Sequence, residues 1–283
     1  MITRDLDSFG EVPGPDQGPM PKFRSLESRT ALNPSKLPGL DFALNPYQGC
    51  GHDCVYCFAP AVLRIDRARW ATDIGARLEL PRLLAQELRS KQGVIGLGTV
   101  TDPYQPLEAY LKLTRKCLEE LVKARSRVSL LTKSDLAVRD LDLLQRLPQA
   151  EIGLTITTAD ERNAKLFEPG APSPRARLQA LKEFSYAGMN TYVLIGPLLP
   201  SVTDADLEGF MTAIAESGTK RVMTDRLRLR PGLVQLFQER LSPSQNGLNE
   251  FMRGAEDQDR MSALDRRIEQ CSKRYGLRYE RAF

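Results

Sequence analysis

The sequence predicts an α/β protein in which helices cover a parallel sheet. Apolar runs of β type alternate with helical patterns about six times along the chain, and such alternation is typical of parallel sheets. Of the 283 residues, 41% are hydrophobic and 27% are charged, which is enough apolar material for a substantial core. An open doubly wound sheet and a partial barrel are both compatible with this pattern.

The predicted elements begin with an irregular arm over residues 1–40, which prolines and glycines interrupt repeatedly. The predicted strands lie at 42–46, 94–99, 127–132, 151–157, 190–196 and 221–229. The predicted helices lie near 59–67, 80–91, 109–124, 139–146, 174–187 and 204–217. Residues 233–283 contain Arg/Glu-rich helical patterns with a break at 242–247, and we expect them to pack as helices on the domain at 41–232.

Local signals mark several of these helices. The stretch 109–124 is amphipathic, because its leucines and a valine are interspersed with charged residues. Asp204 is a typical helix start, and Gly188 and Gly218 are typical helix stops. These signals place helices between the predicted strands.

Charge and composition exclude several classes of protein. The net charge of +4 permits nucleic acid as a partner but does not argue for it. No apolar run reaches the roughly 18 residues of a membrane-spanning helix, and residues 1–18 lack the pattern of a signal peptide. With five cysteines and one histidine, the chain suits a reducing cytoplasm and a metal site better than a disulfide framework.

Three of the cysteines, Cys50, Cys54 and Cys57, have the spacing C-x3-C-x2-C. Three thiolates on one loop can hold three corners of an iron–sulfur cubane and leave the fourth iron open to a ligand. The alternative is a structural zinc site in which His52 joins the cysteines. Typical zinc motifs pair two distant knuckles, whereas this loop is a single knuckle, so the cluster is favoured.

Polar motifs follow each of the next predicted strands. They are Gly98–Glu108, Leu131–Asp135, Thr155–Thr158, Glu168–Arg177 and Ile195–Pro200. Because the carboxyl ends of parallel strands meet at one edge, we expect an active site there. Gly96-x-Gly98 lacks the third glycine of a dinucleotide fingerprint.

The cysteine spacing resembles the signature of the radical S-adenosylmethionine (SAM) superfamily. Three blocks, beginning at Thr101, Thr132 and Glu168, are similar to those of its spore photoproduct lyase-like branch: Thr-Asp-Pro-Tyr-Gln-Pro, Thr-Lys-Ser and Glu-Pro-x-x-Pro-Ser-Pro. The resemblance covers about residues 40–230. It implies a partial (β/α)6 TIM-type barrel over 41–232, with an irregular N-terminal arm and C-terminal helices.

The resemblance implies two cofactors, a 4Fe-4S cluster held by the three cysteines and SAM. It places SAM contacts at Tyr56, Thr101, Asp102, Lys133, Thr157, Ile195 and Gly196. Lys133 is expected to pair with the SAM carboxylate, and Asp102 lies where the branch holds the amino group. Taken alone, a strand-end threonine often only caps a turn, and a lysine there is often solvated. Glu168 and Arg177 form either a structural ion pair or a substrate contact.

The activity implied by the resemblance is reductive cleavage of SAM to a 5′-deoxyadenosyl radical, which abstracts hydrogen from a substrate. An external one-electron reductant of flavodoxin or ferredoxin type is implied as partner. Substrate, catalytic residues and oligomeric state stay open, with nucleic acid as one candidate substrate. Spore photoproduct lyase has a hydrogen-donating cysteine where this chain has Thr99, so the same repair reaction is not expected. The alternative function is a non-catalytic zinc or iron–sulfur protein that binds nucleic acid.

The last predicted strand carries an alternating row of arginines. Arg226, Arg228 and Arg230 would point to one face, and Leu227 and Leu229 to the other. The arginines would either line the cavity mouth and bind an anion, or mark an edge strand whose charges block further pairing. The edge strand is the favoured interpretation.

Overall fold

The computed structural model describes residues 21–230, 232–241 and 245–282. Half of the predicted arm, residues 1–20, and part of the break at 242–247 lie outside the described residues. The strands are β1 Phe23–Ser25, β2 Asn33–Pro34, β3 Phe42–Leu44, β4 Tyr47–Gln48, β5 Ile74–Ala76, β6 Val94–Leu97, β7 Arg127–Thr132, β8 Gln149–Thr155, β9 Asn190–Leu198, β10 Arg221–Arg226 and β11 Arg278–Arg281.

The helices alternate with these strands over most of the chain. They are α1 Ala59–Leu63, α2 Leu80–Glu87, α3 Glu108–Leu111, α4 Leu113–Lys123, α5 Leu141–Leu144, α6 Glu161–Phe167, α7 Pro174–Tyr186, α8 Leu207–Glu216, α9 Leu233–Leu241, α10 Gln245–Glu256 and α11 Gln258–Arg274. Two 3-10 helices, Arg67–Arg69 and Asp135–Asp140, complete the set. Among the described residues, no helix combines the length and apolar character that crossing a membrane requires.

The main sheet has eight strands in the order β11-β10-β9-β8-β7-β6-β3-β2. All neighbours are parallel except β2, which is antiparallel to β3. The six predicted strands are β3, β6, β7, β8, β9 and β10, and they are adjacent in chain order. The order has two ends, as in a partial barrel. The predicted α/β class with parallel strands is therefore confirmed.

Two parts of the sheet differ from the sequence prediction. The predicted C-terminal helices are followed by β11, which pairs with β10, so β10 is not an edge strand. Residues 21–40, predicted as irregular, contain β2, which pairs with β3, and β1, which pairs with β5 in a separate three-stranded sheet of order β1-β5-β4. These strands are short, and charged or polar residues occupy most of their positions, so they lack the apolar runs that reveal a strand.

The predicted helix over 109–124 is interrupted at Lys112, whose φ is 49°. The buried Glu108 carboxylate accepts hydrogen bonds from the backbone N–H groups of Thr114 and Arg115, at 2.9 and 3.2 Å. Glu108 thereby satisfies N–H groups that a new helix start leaves unpaired. One amphipathic pattern is thus divided between α3 and α4.

The two faces of the sheet carry different apolar clusters. One face packs against the helices through the largest cluster, which includes Ile95, Leu130, Leu154, Ile195 and Val222. Burying each such side chain contributes about 1.5–3 kcal/mol relative to exposure. The other face carries a smaller cluster made of Leu131, Tyr192, Leu194, Met223 and Ala282. This alternation aims neighbouring residues of one strand at opposite layers.

Candidate functional site

The cysteine loop joins β4 to α1 and is fixed by side chains that follow β6. The Thr101 hydroxyl donates to the Gly49 carbonyl at 2.6 Å, and the Gln105 amide donates to the same carbonyl at 3.1 Å. The Gln105 amide oxygen accepts from the Gly51 N–H at 3.0 Å. Both side chains are buried. The segment after β6 therefore holds the loop on either side of its first cysteine.

A second segment, which runs from the last residue of α6 into the connection to α7, holds the middle of the loop. Val55 N–H donates to the Phe167 carbonyl at 2.8 Å, and Gly170 N–H donates to the His52 carbonyl at 3.0 Å. A Cβ atom at Gly170 would lie 2.1 Å from the Gly51 carbonyl oxygen. Because the two backbones meet this closely, only glycine fits at position 170 without a shift.

A third restraint comes from α9. Arg240 Nη2 lies 2.9 Å from one oxygen of Asp53, and Arg67 Nη2 lies 2.8 Å from the other. Arg67 also donates to the Asp53 and Cys54 carbonyls. Asp53 has a φ of 49°. The loop is thus tied to the C-terminal helices as well as to the barrel.

The three thiols are largely shielded from water, with the charged side chains of Asp102, Lys133 and Glu168 nearby. Cys50 and Cys54 are buried, and Cys57 is half-buried. Burial raises the pKa of all three thiols, and it raises that of Cys54 to about 12 although Lys133 favours the thiolate. Thiolates in this setting need a positive counter-charge, and bound iron supplies one.

Asp102 connects two strand ends and faces the loop. Its carboxylate accepts hydrogen bonds from the Thr132 hydroxyl at 2.6 Å, the Lys133 N–H at 2.7 Å and the Tyr104 N–H at 2.9 Å. His52 Nδ1 lies 3.4 Å away. Burial opposes ionisation of Asp102, yet His52 and the hydrogen bonds from Thr132 and Lys133 lower its pKa to about 2. Asp102 is therefore a carboxylate at neutral pH.

Glu168 is the centre of a second buried network. Its carboxylate pairs with Arg177 Nη1 at 2.5 Å, and both side chains are at most 1% exposed. Tyr56 OH and the Thr157 hydroxyl both donate to the other carboxylate oxygen, Thr157 at 3.2 Å. Of the two predicted roles for Glu168 and Arg177, the described contacts are those of an ion pair. This pair anchors Tyr56, a residue of the cysteine loop.

Lys133 lies between the loop and this network. Its Nζ is 5.5 Å from the centre of the Tyr56 ring. Burial opposes its charge, but Cys54 and Glu168 raise its pKa above the usual lysine value. Lys133 therefore carries a positive charge beside the cysteines.

The two remaining predicted SAM contacts lie on β9. The Ile195 side chain is fully buried in the largest apolar cluster, which packs on the helices. Gly196 is also buried, and neither residue carries a polar side-chain atom.

Comparison with known proteins identifies the family to which these features belong. Residues 44–214 match the model described as the Radical SAM superfamily. The chain belongs to this superfamily. An uncharacterised protein of Methanocaldococcus jannaschii is 34% identical over 182 residues, 64% of this chain and 69% of that protein. An uncharacterised Mycobacterium tuberculosis protein is 31% identical over 225 residues, 74% of this chain and 66% of that protein. The chain thus spans about two thirds of the length of these relatives.

More distant similarities agree with this assignment. The radical SAM Nα-GlyT isomerase of Pseudomonas phage M6 is 22% identical over 206 residues, 70% of this chain and 42% of that enzyme. Spore photoproduct lyase in complex with dinucleoside spore photoproduct aligns with a TM-score of 0.71 and 15% identity, over 92% of this chain and 82% of that one. Streptococcus suis SuiB bound to SAM aligns with a TM-score of 0.54 and 13% identity, over 84% of this chain and 49% of that one. The two structures establish a common fold. The chain is a radical SAM enzyme.

Radical SAM enzymes use a 4Fe-4S cluster and SAM, and the residues of the loop fit these cofactors. The loop offers three thiols and a backbone that Gly170 allows to pack tightly. Within residues 21–230, 232–241 and 245–282, no three His, Cys, Asp or Glu side chains are arranged around a single metal ion. A cluster binds each cysteine through a different iron, so its ligands need not converge on one point.

Three contacts of the loop were not anticipated from the sequence. Gln105 belongs to the recognised Thr-Asp-Pro-Tyr-Gln-Pro block, so its position in that block was an available signal. The sequence contained a weaker indication that His52 approaches Asp102. His52 lies between two cysteines and Asp102 follows a strand, so both positions belong to the predicted site. The pair of Arg240 with Asp53 spans 187 residues and had no local signal.

The predicted arginine row divides among three environments. Arg226 contacts Asp265 of α11 at 3.7 Å, and Arg228 pairs with Asp225 at 3.2 Å. The Arg230 guanidinium lies 6.0 Å from the centre of the Phe58 ring, next to the cysteine loop. The edge-strand interpretation is wrong because β11 pairs with β10. The strand ends at Arg226, so the alternation of a strand does not extend to Arg228 and Arg230.

Proposed function

We propose that Cys50, Cys54 and Cys57 hold a 4Fe-4S cluster and that SAM binds at its open iron. When bound, the cluster supplies the electron that cleaves SAM to methionine and a 5′-deoxyadenosyl radical, which abstracts hydrogen from the substrate. One observation carries the proposal: the cysteine loop is fixed at the carboxyl edge of a parallel sheet, beside the half-buried Lys133 cation and polar strand ends. This edge is where ligands of α/β folds bind.

The proposed SAM contacts divide into direct and supporting ones. Lys133 offers its charge to the SAM carboxylate, and Tyr56 lies beside it for the adenine. Thr157 is proposed to lie near the SAM carboxylate, and its hydroxyl is oriented by its hydrogen bond to Glu168. Asp102 already accepts three hydrogen bonds, so it attracts the amino group chiefly through its charge.

Two further positions support SAM binding through their surroundings. Thr101 donates to the Gly49 carbonyl, so it acts through the cysteine loop. On β9, the backbone of Ile195 and Gly196 is proposed to border the adenine and ribose.

The substrate is proposed to reach the face of the sheet opposite the helices. Leu131, Leu194 and Met223 make this face apolar, which suits a radical that must be kept from water. A nucleic acid fragment is one candidate, supported by the fold shared with a lyase that binds a dinucleoside photoproduct. Thr99 Oγ1 lies 2.9 Å from the Asn45 amide nitrogen, and a hydroxyl is a poor hydrogen-atom donor, so dimer repair by the route of that lyase is not proposed.

The electron is proposed to come from a separate carrier of flavodoxin or ferredoxin type. We further propose a cytoplasmic location, because free thiols and a reducible cluster persist in a reducing compartment.

Anaerobic reconstitution tests the proposed function. The purified chain, supplied with iron and sulfide, should bind four irons and should release 5′-deoxyadenosine from SAM when dithionite is added. Cys54→Ala should lose both properties. Cys117→Ala is the matched control, because Cys117 is a buried free cysteine in α4, outside the cysteine loop in the chain. A chain that binds iron and sulfide but releases no 5′-deoxyadenosine, or that purifies as a colourless zinc protein, would contradict the proposal.

A further inference from the structure

Exposed apolar side chains concentrate around the cysteine loop. Within the described residues, five large apolar side chains are exposed by more than a third: Phe58, Val62, Leu166, Tyr186 and Tyr275. Phe58 directly follows Cys57, and Val62 lies in the short helix after it; they are 47% and 48% exposed. Leu166 lies in α6, next to the Phe167 carbonyl that accepts the Val55 N–H of the loop. Three of the five therefore flank one loop.

Arginines surround the same apolar side chains. Arg230 lies over the Phe58 ring, and Arg64 directly follows α1. Both are exposed, and neither forms an ion pair with any residue that the structure describes. Arg67 and Arg240 both pair with Asp53, so two positive charges face one negative charge there. The outer side of the loop is thus apolar at its centre and positive around it.

We propose that this surface, the loop patch, docks an acidic one-electron carrier. The loop patch consists of Phe58, Val62, Arg64 and Arg230. The inference rests on the proposed function, which requires an external electron source. The step transfers one electron: the carrier is oxidised by one unit, the cluster is reduced by one unit, and no bond or proton changes place.

The position of the loop patch favours an electron carrier over other partners. Cys57 is the least buried of the three cysteines, and Phe58 is its immediate neighbour in the chain. A carrier seated on Phe58 is one residue away from a cluster ligand. Interfaces for electron transfer are typically small and transient, aromatic and arginine side chains are enriched in interfaces, and opposite charge speeds association.

A phosphate backbone is the other partner that arginines recognise. Two observations favour the carrier. The centre of the loop patch is apolar rather than a row of cations, and the proposed substrate position lies on the sheet face, at the strand ends beside Lys133. Binding of nucleic acid to the loop patch is therefore one of the outcomes that the experiment must separate.

Stopped-flow reduction of the reconstituted full chain tests the loop patch. Reduced flavodoxin, an acidic carrier, is compared with dithionite, a small reductant that needs no docking surface. Arg230→Glu should lower the second-order rate constant with flavodoxin by about tenfold or more at low salt, because the charge that steers association is reversed. Phe58→Ser should lower it through loss of apolar contact. Reduction by dithionite, and 5′-deoxyadenosine release driven by dithionite, should match the parent in both variants.

Two control variants place an Arg→Glu change and an aromatic→Ser change at the amino end of the sheet. Arg146→Glu reverses an exposed arginine that follows α5, and Tyr186→Ser removes an exposed aromatic ring at the end of α7. Both should keep the parent rate with flavodoxin. Increasing salt should slow the parent more than Arg230→Glu, since screening weakens attraction and repulsion alike and the variant has less net attraction to lose.

Several results would overturn the loop patch. An unchanged flavodoxin rate in Arg230→Glu and Phe58→Ser, or an equal loss in Arg146→Glu, removes its basis. Loss of binding to a labelled single-stranded oligonucleotide in Arg230→Glu, with the flavodoxin rate retained, assigns the surface to nucleic acid instead. Failure of the parent to release 5′-deoxyadenosine with dithionite rejects the proposed function itself, and is thereby distinguishable from failure of docking.

Discussion

The two ends of the parallel sheet each contain a Glu–Arg pair, and the two pairs differ in exposure. Glu168 and Arg177 at the carboxyl end are separated by 2.5 Å, and their side chains are at most 1% exposed. Glu151 and Arg221 at the amino end are also separated by 2.5 Å, but their side chains are 28% and 20% exposed. The same chemical pair is therefore dry at one end and partly hydrated at the other.

This difference shows where the fold accepts an energetic cost. A buried pair loses the hydration of both charges, and its mutual attraction does not reliably exceed that loss. A partly hydrated pair is nearly neutral for stability. The chain keeps the costly arrangement beside the cysteine loop, where Glu168 also receives hydrogen bonds from Tyr56 and Thr157. The carboxyl end is thus organised for positioning.

Breaking each pair should give the largest contrast. Glu168→Gln leaves Arg177 buried without a counter-charge, so the free energy of unfolding should fall by about 3–5 kcal/mol. Glu151→Gln should lower it by less than about 1 kcal/mol, because water screens that pair. Urea unfolding of the metal-free protein at neutral pH measures both values. Equal losses in the two variants would refute the distinction between the ends.

Adding one methyl group at each end should give a smaller contrast. Gly170→Ala places Cβ against the Gly51 carbonyl, a backbone atom that cannot rotate away, so unfolding should become easier by about 3 kcal/mol. The displaced loop should also bind less iron on reconstitution. Gly276→Ala, before β11, meets no atom within 4 Å and has a φ of +67°, so it should cost only about 1 kcal/mol of backbone strain. Normal iron content in Gly170→Ala would show that the close contact is dispensable.

The third contrast is a pH dependence at the carboxyl end. Because the folded pKa of Asp102 is lowered to about 2, its stabilising contribution is complete above the unfolded pKa near 4 and disappears as pH falls towards 2. Asp102→Asn should therefore lower the unfolding free energy by about 2 kcal/mol at pH 7, and this deficit should shrink below pH ~4. Unfolding in urea across this pH range provides the measurement.

Asp225 is the control, because its pKa is shifted in the opposite direction to that of Asp102. Burial raises its pKa, with Arg228 opposing, so its contribution is present below the unfolded pKa and is lost as pH rises through the folded pKa. The stability of Asp225→Asn relative to the parent should therefore increase with pH. A deficit in Asp102→Asn that stays constant from pH 7 to pH 2 would show that hydrogen-bond geometry, and not ionisation, accounts for it.

The sequence predicts the central sheet well because its signals are local. Five of the six strands contain an apolar run, β10 alternates apolar and polar residues, and their order in the sheet follows their order in the chain. β11 was missed because Arg278 and Glu280 alternate with Tyr279 and Arg281, which resembles the polar helices before it. β11 is a strand because it pairs with β10, and a local sequence pattern contains no information on such a distant partner.

The candidate site divides in the same way. The cysteine spacing is a property of eight consecutive residues, so the sequence alone could suggest a cluster. The pairing of Arg240 with Asp53 and the contact of Gly170 with Gly51 depend on how distant segments pack. Sequence thus predicts which groups do the proposed chemistry, whereas the structure shows what holds them still.

The hydrogen bonds that hold the cysteine loop bear on what remains of the site when a bound cluster is lost. The loop takes its shape from Thr101, Gln105, Gly170 and Arg240, and none of these contacts involves a metal. The entropy of ordering the ligands is therefore lost during folding and not again when a cluster binds. We expect that a chain stripped of iron by oxidation keeps an open, correctly shaped loop. Such a chain can bind a new cluster without refolding, so we expect the protein to outlast damage to its cluster.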